Sequence, residues 1–332
     1  MIETEPNKQR GLVIEDFTNG VQHLVIPEHS KRIPIYNFRD LRHHEEIAKA
    51  LSAGERMLMF AGVWGAFKTV KRNTTVEEFF HKQIKPGRPW EAKIPLMART
   101  IDAKQMLDWS EIHEDFRFLQ DYSEFKKLLT SHPAFVHIVG PVRHNLYSLP
   151  EIFITTPEDY STRYEGNDAI CVPTISIINR NDPYLLHLQT LASLRYFHTT
   201  MYLGVSTANP HAKQPPYTHG ELFRQIANGE TPAEAVDLIV EDQIYEKYNA
   251  LGSHTIARLP LNGERPTIKI LRIGSLSPER FERATGFLCE VIPGAKDVKK
   301  VMGVSLDTKL EKMNDEIWQN WRLEKPLVHL VN

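Results

Sequence analysis

Cysteine is scarce in this chain: Cys171 and Cys289 are the two thiols among 332 residues. So few thiols, set far apart, exclude a disulfide-stapled scaffold and point to reduced cysteines in a cytosolic protein. Long apolar runs are missing too, since none approaches the ~18–20 residues of a membrane-crossing helix. The opening Met1-Ile2-Glu3-Thr4-Glu5-Pro6 is too polar for a secretory leader. A cytoplasmic location with no membrane partner is expected. Charge of one sign is lacking as well: 40 Lys and Arg against 42 Asp and Glu leave a net −2. That balance removes whole-chain attraction to nucleic acid and leaves room only for a local basic groove. Neither Walker-type Gly-Lys-Ser/Thr nor Gly-x-Gly-x-x-Gly occurs, which removes the two commonest nucleotide motifs. The Gly-x-Ser-x-Gly elbow of a serine hydrolase is absent. Although there are 15 histidines, no His-x-x-x-His or Cys-x-x-Cys is formed. The adjacent His43-His44 pair would point about 100° apart on a helix and chelate poorly. No metal site is expected in the protein itself.

What is present is ordinary for a folded protein, with 41% hydrophobic and 25% charged residues. The length allows a sizeable core, as one large domain or two smaller ones. Residues 1–40 read as an irregular or strand-containing lead-in, broken by Pro27 and Pro34. A helix is expected over 45–53, with Ile47, Ala50 and Leu51 on one face and Gly54 as its stop. A buried strand follows at 57–61, and a weaker one at 94–98. Helices are expected at 75–82, 122–130 and 183–197, and strands at 134–139, 169–173 and 175–178. The short apolar patch Ile152-Phe153-Ile154 sits among turn formers and reads as part of an insertion. Beyond it, the run 199–205 leads into a small-residue turn, with a helix from His219 and another from Pro232. Strands at 238–240, 255–259 and 267–271 precede a helix at 278–284 capped by Ser277. The last segment reads as strand or loop, then a helix over 306–321. Strands and helices interleave without strict βαβ alternation, so a mixed α/β or α+β sheet is expected.

The turn Val205-Ser206-Thr207-Ala208-Asn209-Pro210 is the most telling stretch. Backbone N–H groups and short hydroxyls at a strand-to-helix turn make a cradle for phosphate or carboxylate. Three further segments flank it in order: 54–65, a strand ending Val63-Trp64-Gly65; Lys85-Pro86-Gly87-Arg88-Pro89, followed by Pro95-Leu96; and Gly252-Ser253-His254-Thr255 with Arg272-Ile273-Gly274 beyond. In this order they resemble the YrdC/TsaC-like family, the threonylcarbamoyl-adenylate synthases of tRNA modification. The resemblance covers roughly 45–288, and it divides the chain into an extension at 1–40, a YrdC-like domain at 41–290 with an insertion near 100–168, and a C-terminal extension at 291–332.

The resemblance implies a twisted mixed sheet around a basic-lined cavity, where ATP, bicarbonate and L-threonine combine with release of pyrophosphate. It implies Lys85 and Arg88 as catalytic cations, one a point charge and the other a bidentate fork. It implies Ser206, Thr207, Asn209, Ser253, Thr255 and Arg272 as nucleotide contacts and Trp64 as a wall of the substrate pocket. Mg²⁺ would arrive with ATP, held mainly by phosphate oxygens and water. The chain departs from the family's pattern at Phe60-Ala61-Gly62-Val63-Trp64-Gly65-Ala66, which lacks every hydroxyl of the usual Thr-Asp-Thr-Val-Tyr-Gly on the amino-acid side. Two residues, not one, separate Lys85 from Arg88. Two other readings stand beside the synthase: double-stranded RNA binding through Lys68, Lys71, Arg72, Lys82, Lys85 and Arg88, or a catalytically inactive paralogue with the last helix as a partner surface. Plainer roles also exist for each residue: solvated charges at Lys85 and Arg88, caps or turns at 206–209, a salt bridge at Arg272, a core aromatic at Trp64.

Overall fold

The computed structural model describes residues 13–16, 21–27, 30–70, 96–97, 136–141, 154–155, 174–179, 182–195, 202–209, 215–248, 252–259, 267–297 and 307–328. Strands β1 (Val13–Asp16), β2 (Gln22–Ile26) and β3 (Lys31–Asn37) come first, then helix α1 (His44–Ala53) and the hairpin β4 (Met57–Phe60) and β5 (Trp64–Val70). Next are β6 (Leu96–Met97), β7 (Val136–Pro141), β8 (Ile154–Thr155), β9 (Thr174–Asn179), α2 (Pro183–Arg195) and β10 (Tyr202–Thr207). The chain continues through α3 (His219–Ala227), β11 (Leu238–Glu241), α4 (Gln243–Lys247), β12 (Thr255–Arg258) and β13 (Thr267–Ile273). It closes with α5 (Pro278–Thr285), β14 (Leu288–Asp297) and α6 (Asp307–Val328).

The strands join in one mixed sheet, β1-β2-β3-β11-β4-β5-β10-β6-β9-β7-β12-β13-β14, with β8 attached to β9. The mixed α/β expectation is therefore met. Strand β11 pairs in parallel with β3 on one side and β4 on the other, while β4, β5 and β10 are antiparallel. Every residue of β4 is buried, as a strand in the middle of a sheet covered on both faces requires. Ile154, the last residue of the apolar patch expected inside an insertion, joins this sheet by pairing with Ile175.

Local signals explain the helices that match. Helix α1 buries Ile47, Ala48 and Leu51 and stops at Gly54, and it carries Glu45 and Glu46 in its first turn, where the helix dipole favours them. Ser277 caps α5 through its side chain, with Pro278 in the first turn. The helix expected from Pro232 is a correction: only a short 3₁₀ turn, Ala233–Ala235, forms there. Tertiary anchoring stops it. Val236 is already extended, and Asp237 is tied to Arg56, donating its N–H to the Arg56 carbonyl at 3.0 Å and accepting the Arg56 N–H at 2.7 Å.

The expected helices at 75–82 and 122–130 and the strand at 169–173 lie outside the described residues. Among the described residues, no helix is long and apolar enough to cross a membrane.

Candidate functional site

The β4–β5 hairpin is where the separate motifs meet. Gly62 turns it with φ 82°, a left-handed conformation that a side chain would strain. The Gly62 carbonyl accepts the N–H of Gly252 at 2.8 Å. Two residues on, Trp64 donates its N–H to the Pro216 carbonyl at 3.0 Å, and its carbonyl accepts the N–H of Ala208 at 2.9 Å. One turn is thus bonded to the loop after the Ser-Thr-Ala-Asn segment, to that segment itself, and to the Gly-Ser-His-Thr segment.

Strand register does the rest of the positioning. Ser206 lies opposite Ala66 and Thr207 opposite Gly65, at the end of β10. Ser206, Ala208 and Asn209 are buried there, and the Ala208 carbonyl accepts the Thr231 hydroxyl at 3.3 Å. Across the sheet, Ser253 accepts the N–H of Ser275 on its carbonyl at 2.8 Å. The chain passes so close that a Cβ on Gly274 would lie 2.2 Å from the Ser253 oxygen. Only glycine fits that crossing.

Arg272 is half-buried and donates Nε–H to the His254 carbonyl at 2.9 Å, which fixes its guanidinium beside Ser253. Thr255 has a different task. Its hydroxyl donates to the Leu276 carbonyl at 2.6 Å and accepts the N–H groups of Gly274 and Leu276 at 3.0 Å each. One proton and two lone pairs are all that a hydroxyl has, so Thr255 locks the 253–276 crossing together.

Trp64 is fully buried. Its ring meets Phe60 with centroids 5.4 Å apart and His219 at 5.1 Å, and its Nε1–H is buried with no partner among the described residues. Lys85 and Arg88 lie outside the described residues. Of the cations expected along the opening, Lys68 alone is described, half-buried on β5.

Two groups of site residues escaped sequence reasoning. Tyr217 is buried, with its phenol 3.4 Å from the Ser253 hydroxyl. Burial pushes its pKa up, partly offset by the Ser253 hydrogen bond and the Arg272 charge. The second group is His219, at the start of α3, held between Glu241 at 2.9 Å from Nε2 and Glu246 against Nδ1. Burial alone would favour the neutral imidazole, but the Glu241 hydrogen bond and the charges of Glu241 and Glu246 outweigh it, and the pKa rises above its ordinary value. The two carboxylates take opposite sides of the ring, so these groups do not converge on one point. Tyr217 stood in a Pro-rich run with no chemical signature, and no spacing rule links His219 to Glu241.

No protein-family model matches this sequence, and no curated protein sequence matches it either. Solved structures do match by fold. P. abyssi Sua5 complexed with L-threonine is similar at TM-score 0.50 and 18% identity, over 82% of this chain and 65% of that one. A substituted P. abyssi Sua5 is similar at TM-score 0.50 and 17% identity, over 83% of this chain and 64% of that one. The chain therefore has a Sua5-like fold and spans just under two thirds of the length of those two chains.

Proposed function

We propose that this protein is an ATP-dependent threonylcarbamoyl-AMP synthase-like nucleotidyltransferase, linked to tRNA modification. One observation carries the reading: a single turn, 62–64, is hydrogen-bonded to the Ser-Thr-Ala-Asn loop and to the Gly-Ser-His-Thr segment. Segments that a YrdC-like enzyme needs side by side are adjacent in space. The Sua5-like fold supports the same reading, and the L-threonine bound by that neighbour makes threonine the first acceptor to test.

The chemistry condenses bicarbonate with the amino group of threonine to a carbamate, losing water. A carbamate oxygen then attacks the α-phosphorus of ATP, and the bond to the β,γ-pyrophosphate breaks. Charge builds on the phosphoryl oxygens, so the protein's work is positioning and charge stabilisation. In this reading Ser206, Thr207 and Asn209 hold the nucleotide with hydroxyls, an amide and backbone N–H groups. Ser253 and Arg272 face its phosphates, Thr255 keeps both in position, and Lys85 and Arg88 supply further positive charge. Among the described residues no three His, Cys, Asp or Glu side chains form a metal-binding group. Mg²⁺ entering with ATP would be held chiefly by phosphate oxygens and water.

The test is pyrophosphate release from ATP with Mg²⁺ and bicarbonate, with each amino acid supplied in turn. Release that requires both bicarbonate and L-threonine, and falls at least tenfold in Arg272→Ala, is expected. No release with any amino acid sinks the reading.

A further inference from the structure

We propose that Tyr217 completes an oxyanion subsite with Ser253 and Arg272, taking a carboxylate or phosphoryl oxygen of the substrate. The proposal rests on the functional reading above for the identity of that substrate, and on hydrogen-bond capacity for the site itself.

Tyr217 and Ser253 are 7% and 5% exposed, and their hydroxyls face one another at 3.4 Å. That is far longer than the usual 2.7–2.8 Å or so between hydroxyl oxygens. The pair holds two O–H protons and makes one contact. Whichever way that bond runs, one buried proton has no acceptor among the described residues, a state that folded proteins seldom tolerate without a ligand or water. Next to the pair, Ser275 is bonded through its N–H to the Ser253 carbonyl. Its own hydroxyl is also buried without a partner among the described residues.

The positive charge at this point favours an anion. Arg272, held by the His254 carbonyl, is close enough to Tyr217 to favour its ionised form. Glu221 is the acid nearest to hand, but its carboxylate accepts the N–H groups of Tyr217 at 2.7 Å and Thr218 at 3.1 Å. It completes the box that caps α3. This capping holds the Tyr217 backbone rigidly at the helix start, and a rigid donor loses little freedom on binding. The phenol and hydroxyl have one proton to spare between them, and the Arg272 guanidinium adds positive charge, a combination complementary to one or two oxygens of an anion. The proposal also gives the pocket a hydroxyl that 60–66 does not provide.

Titration calorimetry on the full chain, wild type against Tyr217→Phe and Ser253→Ala, tests this with three probes: L-threonine, ATP with Mg²⁺, and inorganic pyrophosphate. Tyr217→Phe removes one oxygen and no volume, so its melting temperature should stay at the wild-type value. A hydrogen bond to a charged group leads us to expect roughly 10- to 100-fold weaker binding of the affected probe. Weakening confined to L-threonine assigns the subsite to a carboxylate. Weakening confined to ATP and pyrophosphate assigns it to phosphate. Binding of pyrophosphate alone, weakened by the substitution, keeps the subsite and removes the synthase reading. Unchanged affinity for every probe that the wild type binds overturns the subsite while leaving the synthase reading intact. A uniform loss that follows a lowered melting temperature in both variants likewise overturns the subsite alone, whereas a wild type that binds none of the three overturns both the subsite and the synthase reading.

Discussion

Arg39 is a charge that this fold buries almost completely, at 7% exposure. It survives there because Asp242 takes its Nε and Nη2 at 2.9 and 2.6 Å, and Asp182 takes its Nη1 at 2.9 Å. The planar guanidinium fits two carboxylates at once, which a lysine could not do. Beside it, His44 donates Nε2–H to the Phe38 carbonyl at 2.8 Å and meets the His187 Nδ1 at 3.0 Å. Burial holds the His44 imidazole neutral, with its pKa pushed down to about 3. The unfolded chain therefore takes up this proton first. Stability is whole above about pH 6.5, the ordinary histidine value, and is lost as the pH falls toward the folded value. His44→Gln should flatten the drop in melting temperature between about pH 7 and about pH 5. Parallel curves for wild type and variant would contradict a buried neutral His44.

At the scale of elements, α3 is fastened at its start. Thr218 and Glu221 form a reciprocal capping box, and His219 ties the same turn to β11 and α4 through Glu241 and Glu246. A protonated imidazole is unfavourable at the positive end of a helix, so the two carboxylates are what keep it charged. Because the folded pKa is raised, this contribution is whole below about pH 6.5 and fades as the pH climbs through the folded value. Melting curves between about pH 6 and about pH 9 should fall more steeply for wild type than for His219→Gln. A variant that keeps the full alkaline loss would show that the slope comes from elsewhere. The consequence reaches the site, since α3 begins two residues after Tyr217, beyond its cap Thr218.

For the whole molecule, α6 is part of the core. Leu310, Met313 and Ile317 are buried in the main apolar cluster, at the spacing that puts them on one helical face. Trp321 packs on Tyr184 with centroids 5.2 Å apart and on His187 at 5.9 Å. Polar ties flank this face: Glu316 accepts from Lys247 at 2.6 Å and from Tyr248 at 2.7 Å, and Arg280 donates to Glu311 at 2.9 Å. Met313→Ala should lower stability by about 2–5 kcal/mol in urea unfolding, the range for emptying a core site. A loss below about 0.5 kcal/mol, the level of surface substitutions, would mean that the helix only rests on the domain. Periodicity, caps and breakers by themselves determine α1 with its stop at Gly54, α5 with its cap at Ser277, the buried strand β4 and the mixed α/β class. Those signals lie within a few residues of each other, where chain geometry fixes who meets whom. The site is legible in part: Ser206, Asn209, Ser253 and Arg272 stand in readable segments, whereas Tyr217, His219 and Glu241 do not. Tertiary structure alone decides that Gly62 meets Gly252, that Trp64 meets Pro216 and Ala208, and that a helix does not follow Pro232. These contacts run through backbone N–H and C=O groups, which are chemically alike in every residue but proline, so no residue type announces them and only the folded sheet selects the pairs.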